Sequence, residues 1–169
     1  MVDQKTIRQL KAKNEKAFEY VYHETKRGVY SIIFSIVKDH AETQDLMQDV
    51  YMKMMKSIDQ FQENTNFNNW LLQMAKYHTI DYYRRSKKFV PLEETDYDNL
   101  MATQEESPDE KEQFERMISI LDDDQRMIVL LKIVDQMKFK DIAKVVDKPL
   151  GTVLWIYQEA LKVLKGYEG

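Results

Sequence analysis

LDDDQRMIVLLKIVDQMKFKDIAKVVDKPLGTVLWIYQEALKVL, residues 121–164, divides into three apolar periodicities of helical spacing separated by two short interruptions. Asp122 and Gln125 stand as N-cap and N3 of a first helix that runs through Ile128, Leu131 and Val134. Phe139, Ile142, Ala143 and Val146 follow at i, i+3, i+4 and i+7, the signature of one buried helix face. After a break at Asp147, Lys148 and Pro149, a third helix is expected through Val153, Tyr157, Ala160, Leu161 and Leu164. Two short helices joined by so tight a turn make a helix-turn-helix.

Working back toward the N-terminus, residues 89–116 carry 10 Asp/Glu against 2 Lys/Arg, from Glu93 and Glu94 through Glu105, Glu106 and Glu110 to Glu115. Few large apolar residues recur there at helical spacing, so the segment cannot bury enough surface to offset its ordering entropy. It reads as an acidic flexible linker. Residues 1–88 carry 15 basic and 11 acidic side chains and residues 117–169 carry 8 of each, so the net charge of -4 arises in the linker.

The N-terminal part is helical by the same criteria. Phe18, Val21 and Tyr22 begin an apolar stripe, and Val29, Ile32, Ile33 and Ile36 continue one. Asp39 followed by Glu42 has the form of a capping box, opening a helix of about 17 residues along which Leu46, Val50, Met54, Met55 and Ile58 recur as core filler. From Gln60 to Asn69 the periodicity stops, and four asparagines around Phe61 and Phe67 read as a polar loop. A further helix then runs from Trp70, a core anchor, through Leu71, Met74, Ala75, His78 and Ile80 to Tyr82, Tyr83, Arg84, Arg85, Ser86, Lys87 and Lys88.

With only 4 Gly and 3 Pro in 169 residues, the breakers that punctuate sheet proteins are missing, and an all-α fold of two small helical domains is expected. There is no cysteine, which excludes disulfides and thiolate metal sites and fits a reducing cytoplasmic location. The first residues lack an apolar leader, and no window approaches a membrane span. His23, His40 and His78 show no metal-ligand spacing, and no Gly-rich phosphate loop occurs. Ser31, Ser35 and Ser57 fall in apparent helices without a base nearby. An enzyme is therefore not expected, nor a cofactor or metal.

Two groups of residues carry a family resemblance. One is Asp45-Leu46-Met47-Gln48-Asp49-Val50-Tyr51, followed by Phe67-Asn68-Asn69-Trp70-Leu71-Leu72-Gln73-Met74-Ala75 and Ile80-Asp81-Tyr82-Tyr83-Arg84-Arg85. The other is Leu121-Asp122-Asp123-Asp124-Gln125-Arg126, with Asp141-Ile142-Ala143 and Gly151-Thr152-Val153 downstream. In this order and spacing they resemble domains 2 and 4 of the extracytoplasmic-function RNA polymerase sigma factors. The resemblance implies a sigma domain 2 helical bundle over 1–88, a linker over 89–116 and a sigma domain 4 helix-turn-helix over 117–169. It implies a factor that binds core RNA polymerase and directs promoter-specific initiation, with an anti-sigma factor as a further partner and no insertion into membrane.

Residue by residue, the resemblance puts Asp45, Gln48 and Asp49 against the polymerase. Positions 45, 48, 49 and 52 share one helix face, so two carboxylates stand ready for a basic partner. Glu63, Asn64, Thr65 and Asn66 fall where the family captures an unstacked base of the minus-ten element, a task suited to amides that both donate and accept. Lys76, Tyr77, Tyr83, Arg84, Arg85, Lys87 and Lys88 combine phosphate attraction with base stacking. In the helix-turn-helix, Thr152, Leu154, Trp155, Gln158 and Lys162, with Lys140 before them, would face the minus-thirty-five element.

The sequence departs from the family in that last helix. Leu154, Trp155 and Ile156 occupy positions where the family often has Lys, Ser and Arg, and Glu159 and Leu161 replace Arg. Apolar contact to thymine methyls is one use of such a face. Docking a protein is the other, as in a sigma-like regulator or adaptor that works through protein contacts. Asp147 stands where the family commonly has Gly, and Asp tolerates the left-handed conformation the turn demands.

Overall fold

The computed structural model describes residues 2–86 and 116–167, so Lys87, Lys88 and all of the acidic linker except Arg116 lie outside the described residues. Helices α1 (Gln4–Lys11), α2 (Glu15–Val37), α3 (His40–Ser57) and α4 (Phe67–Ser86) form the N-terminal unit, with a 3-10 turn at Ile58–Gln60. Residues 116–119 are helical. Then come α5 (Asp123–Ile133), α6 (Phe139–Val146) and α7 (Leu150–Lys165). No strand occurs among the described residues, as the scarcity of breakers predicts.

Side-chain caps fix where these helices begin. Asp3, Asn14, Asp39 and Asp122 each accept a hydrogen bond from the backbone N–H three residues on, at 2.7 to 3.0 Å. Each such cap is worth about 1 kcal/mol. At Asp122 the box is complete, since its own N–H donates to Gln125 Oε1 at 3.2 Å. At Asp39 only half of the expected box forms, because the Glu42 carboxylate accepts instead from the Tyr82 hydroxyl at 3.2 Å. The polar loop is also shorter than the sequence reading had it. Asn66 caps α4 by accepting from Asn69 N–H at 3.0 Å, so Phe67, Asn68 and Asn69 are already helical.

The N- and C-terminal units are not held apart in this structure; they share one core. Its contiguous cluster takes Leu10, Val21, Ile32, Ile33, Val50, Met54, Leu71 and Leu72 from the first unit and Ile128, Leu131, Ile142, Val145 and Val153 from the second. Helix α2 is the common element, packed on α3 and α4 to one side and on α5 to another. Its run from Gly28 to Ser35 is buried at every position but Tyr30, which is half-buried, as expected of a helix enclosed by neighbours on all sides.

Two features tie α2 to the C-terminal unit. Gly28 is buried, and a Cβ there would come within 2.8 Å of Asp135 Oδ2 and 3.1 Å of Leu72 Cδ2, so a larger residue would have to displace the ends of these two side chains. Burial pushes the Asp135 carboxyl up to about 6, partly offset by the positive charge of Arg27. Farther along, Arg126 is 3% exposed and donates to the carbonyls of Ile118 (3.0 Å), Leu121 (2.5 Å) and Ser35 (3.0 Å), and to Asp123 Oδ1 (3.0 Å). The Ser35 carbonyl belongs to the last turn of α2, where no intrahelical partner is left for it.

Candidate nucleic-acid and partner interfaces

On α3, Leu46, Met47, Val50 and Met54 are buried, and this orients Asp45, Gln48 and Asp49 into solvent on the opposite side. The helical period then adds Met52, 59% exposed, to the same face. Asp49 Oδ2 lies 3.6 Å from His78 Nε2 of α4. Gln48 also edges an apolar groove of about 730 Å³ lined by Phe18, Tyr22, Met47, Tyr51 and Met52. The sequence reading did not find this groove. Its signal was Met52, a methionine one step off the buried stripe. In the groove floor Tyr51 is buried and its hydroxyl hydrogen-bonds Thr25 Oγ1 at 2.8 Å, while desolvation pushes the pKa of that hydroxyl far above its ordinary range.

In the loop before α4, Asn64 and Thr65 are exposed. Glu63 is half-buried between Arg8 and Lys11 of α1, 3.8 Å from each. Asn66 serves the helix as its cap, which leaves its amide nitrogen as the group facing outward chemistry. Phe61, Phe67 and Trp70 pack together behind the loop, edge-on or tilted, with ring centroids 5.0 to 5.7 Å apart, so Trp70 is an anchor as expected.

Along α4 the expected DNA-contacting residues divide. Arg84 and Arg85 at its end are exposed, with Arg85 3.1 Å from Asp81 one turn back, and Tyr83 is half-buried. Lys76 and Tyr77 are instead engaged by the C-terminal unit. Lys76 is 13% exposed, donates to the carbonyl of Val145 at 3.4 Å and lies 3.7 Å from Asp147 Oδ2. The Tyr77 hydroxyl donates to the same carboxylate, and this bond raises the pKa of the phenol. Desolvation lowers that of Lys76, against the pull of Asp147.

The helix-turn-helix is α6, its turn and α7. Asp147 takes φ 56 and ψ 45, the left-handed conformation foreseen for it. Val153, Ile156 and Ala160 of α7 are buried, so Thr152, Leu154, Gln158 and Lys162 stand exposed along the outer side, and Trp155 is 63% exposed. Lys162 pairs with Glu159 at 3.0 Å, and Lys140 of α6 is exposed. The three histidines lie apart: His23 against Tyr22, His40 against Tyr30, His78 toward Asp49. No helix among the described residues is long and apolar enough to cross a membrane.

Exposed carboxylates on α3, exposed arginines at the end of α4 and a helix-turn-helix beyond them are surfaces suited to binding a protein and a nucleic acid. Comparison with known proteins makes this specific. Residues 21–89 match the family model of sigma-70 region 2 and residues 111–154 that of sigma-70 region 4, together well over half of the chain. The extracytoplasmic-function sigma factor SigX of Bacillus subtilis is 27% identical over 161 residues, which is 89% of this chain and 83% of that relative. The sigma-E factor of Escherichia coli K12 is 25% identical over 167 residues, 90% of this chain and 87% of the relative. Among solved structures, RpoE of Bartonella quintana in complex with the anti-sigma factor NepR aligns with a TM-score of 0.74 at 22% identity, over 89% of this chain and 95% of that one. CnrH in complex with the cytosolic domain of CnrY aligns with a TM-score of 0.72 at 16% identity, over 98% and 96%, and these two establish the fold. The chain belongs to the sigma-70 family, as a sigma factor of the extracytoplasmic-function type, and is a transcription initiation factor, not an enzyme.

Proposed function

We propose that this sigma factor divides its work as domain 2 over residues 1–88, a linker over 89–116 and domain 4 over 117–169, with each surface assigned to one ligand. Asp45, Gln48 and Asp49 dock on core RNA polymerase. Glu63, Asn64 and Asn66 of the loop, with Lys76, Tyr77, Tyr83, Arg84, Arg85, Lys87 and Lys88, engage the melted minus-ten element. Lys140, Thr152, Leu154, Trp155, Gln158 and Lys162 engage the minus-thirty-five element. The protein works in the cytoplasm, where polymerase and chromosome meet.

One observation carries this reading. Asp45, Gln48 and Asp49 on α3 and Thr152, Leu154, Trp155 and Gln158 on α7 stand in solvent on helices whose opposite faces are buried, so the fold itself does not require their identities. Run-off transcription with core polymerase, followed by mapping of start sites, tests it. Start sites that require this protein support the assignment, and co-elution with polymerase without any start site points to an adaptor. The exposure of Trp155 is what favours that second reading, because a large apolar group in water often marks a protein contact.

An anti-sigma factor is proposed as a further partner, on the support of the CnrH–CnrY and RpoE–NepR complexes to which the fold is similar. The apolar groove beside Gln48 is the place for it, since a helix lying there would cover the polymerase-facing carboxylates.

A further inference from the structure

Helix α7 shows solvent a face that carries no cation over its first half. Val153, Ile156 and Ala160 are buried, and Tyr157 packs edge-on against Phe139 of α6 with ring centroids 5.0 Å apart, which leaves Thr152, Leu154, Trp155 and Gln158 on the outer side. The way to them is open, since nothing lies within 4 Å of the point where a Cβ on Gly151 would stand. The helix contains no arginine, and its two lysines, Lys162 and Lys165, fall in the last turn. Lys162 is about 15 Å along the helix axis from Thr152. It is also held by Glu159 at 3.0 Å.

In a helix-turn-helix the residues near the start of the second helix meet the base edges in the major groove. Each base asks for a different chemistry there. Guanine shows two acceptors and is read by the paired donors of arginine or lysine, adenine shows an acceptor beside a donor and matches the amide of glutamine, and thymine shows a methyl group that an apolar side chain covers. The start of α7 offers nothing for guanine. We propose that α7 selects an A·T element by its thymine methyls, with Leu154 and Trp155 covering the methyls and the Gln158 amide set against an adenine. The inference rests on the assignment of α7 to the minus-thirty-five element and adds the bases chosen there. Charge favours DNA over a protein as the occupant of this apolar face. Lys138, Lys140 and Lys144 stand exposed on or just before the neighbouring α6, and they suit the phosphate contacts that position a duplex without reading it.

The test uses the reconstituted holoenzyme and a promoter found by start-site mapping. Replacing each thymine of its minus-thirty-five element by deoxyuridine removes the methyl and leaves base pairs and phosphates as they are. A loss in promoter affinity of roughly four-fold for each methyl covered is expected, measured by gel shift. Replacing thymines in the spacer between the two promoter elements should cost nothing. Leu154→Ala with Trp155→Ala is expected to weaken binding of the thymine promoter to the level of the uracil one and to remove the difference between them. Because the first substitution is made in the DNA, no unfolding of the protein can imitate it. Equal affinity for the thymine and uracil promoters overturns the inference, as does a mapped element made of G·C pairs. The assignment beneath it fails separately, if a promoter cut off upstream of the spacer binds as tightly as the complete one.

Discussion

The guanidinium of Arg126 donates to the carbonyl oxygen of Ser35 at 3.0 Å, so a side chain of α5 closes the end of α2. The same group holds the carbonyls of Ile118 and Leu121, joining the start of the C-terminal unit to the N-terminal one. Replacing Arg126 by Met leaves the carbonyls of Ser35 and Leu121 without a donor, while that of Ile118 keeps the Leu121 N–H at 3.3 Å. A loss of about 3 kcal/mol in unfolding free energy is expected, read from urea denaturation.

Asp135 gives the packed units a pH dependence whose sign is fixed. Its carboxyl is pushed up to about 6 in the folded chain, from 3.8, by burial, with Arg27 nearby and the Tyr51 hydroxyl sensing its charge. The folded state therefore holds a proton that the unfolded state releases. Its contribution to stability is greatest at low pH and is lost as the pH rises through about 6. Asp135→Asn should unfold at a higher temperature than the parent near pH 7.5, and the gap should shrink near pH 5. A gap independent of pH would assign the titration elsewhere.

Asn66 has two separable roles. As the cap of α4 its loss to Ala is expected to cost about 1 kcal/mol, seen by thermal melting followed by circular dichroism. Asn66→Ser restores the cap without the amide. If promoter opening stays impaired in the Ser variant while melting recovers, the amide reads a base as well as starting a helix.

Much of this was legible in the sequence, for physical reasons. The caps at Asp39 and Asp122, the buried stripe of α3 and the turn at Asp147 follow from local rules about backbone donors and helical period, and all appear in the structure. What local rules missed was long-range. The reading of α2 took one stripe, Val29, Ile32, Ile33 and Ile36, whereas Phe34 is buried against Ile118 and Leu130 on another side. Apolar residues right around that helix were the available sign of a second partner. Lys76 and Arg126 are cations that solvent or DNA would accept equally well, and only tertiary packing reveals what each one holds.

Reversing charge on α3 tests the polymerase face. Asp45→Lys with Asp49→Lys should abolish co-elution with core polymerase and leave the helical circular dichroism spectrum unchanged, since both side chains are exposed. Retained co-elution would move the contact to another surface.

At the end of α4, Arg84→Ala with Arg85→Ala is expected to weaken the promoter complex and to reduce the slope of log affinity against log salt by about two, one per phosphate released. An unaltered slope would remove these arginines from the DNA contact.

The enclosure of α2 bears on how such proteins can be recombined. A helix whose flanks are cut to fit α3 and α4 on one side and α5 on another is a shared keel, and its shape is negotiated with every plank fastened to it. A hybrid that takes its promoter-reading half from a cousin would inherit a foreign hull on a native keel. Grafts should succeed only when the residues meeting Gly28, Phe34 and Ser35 travel with them.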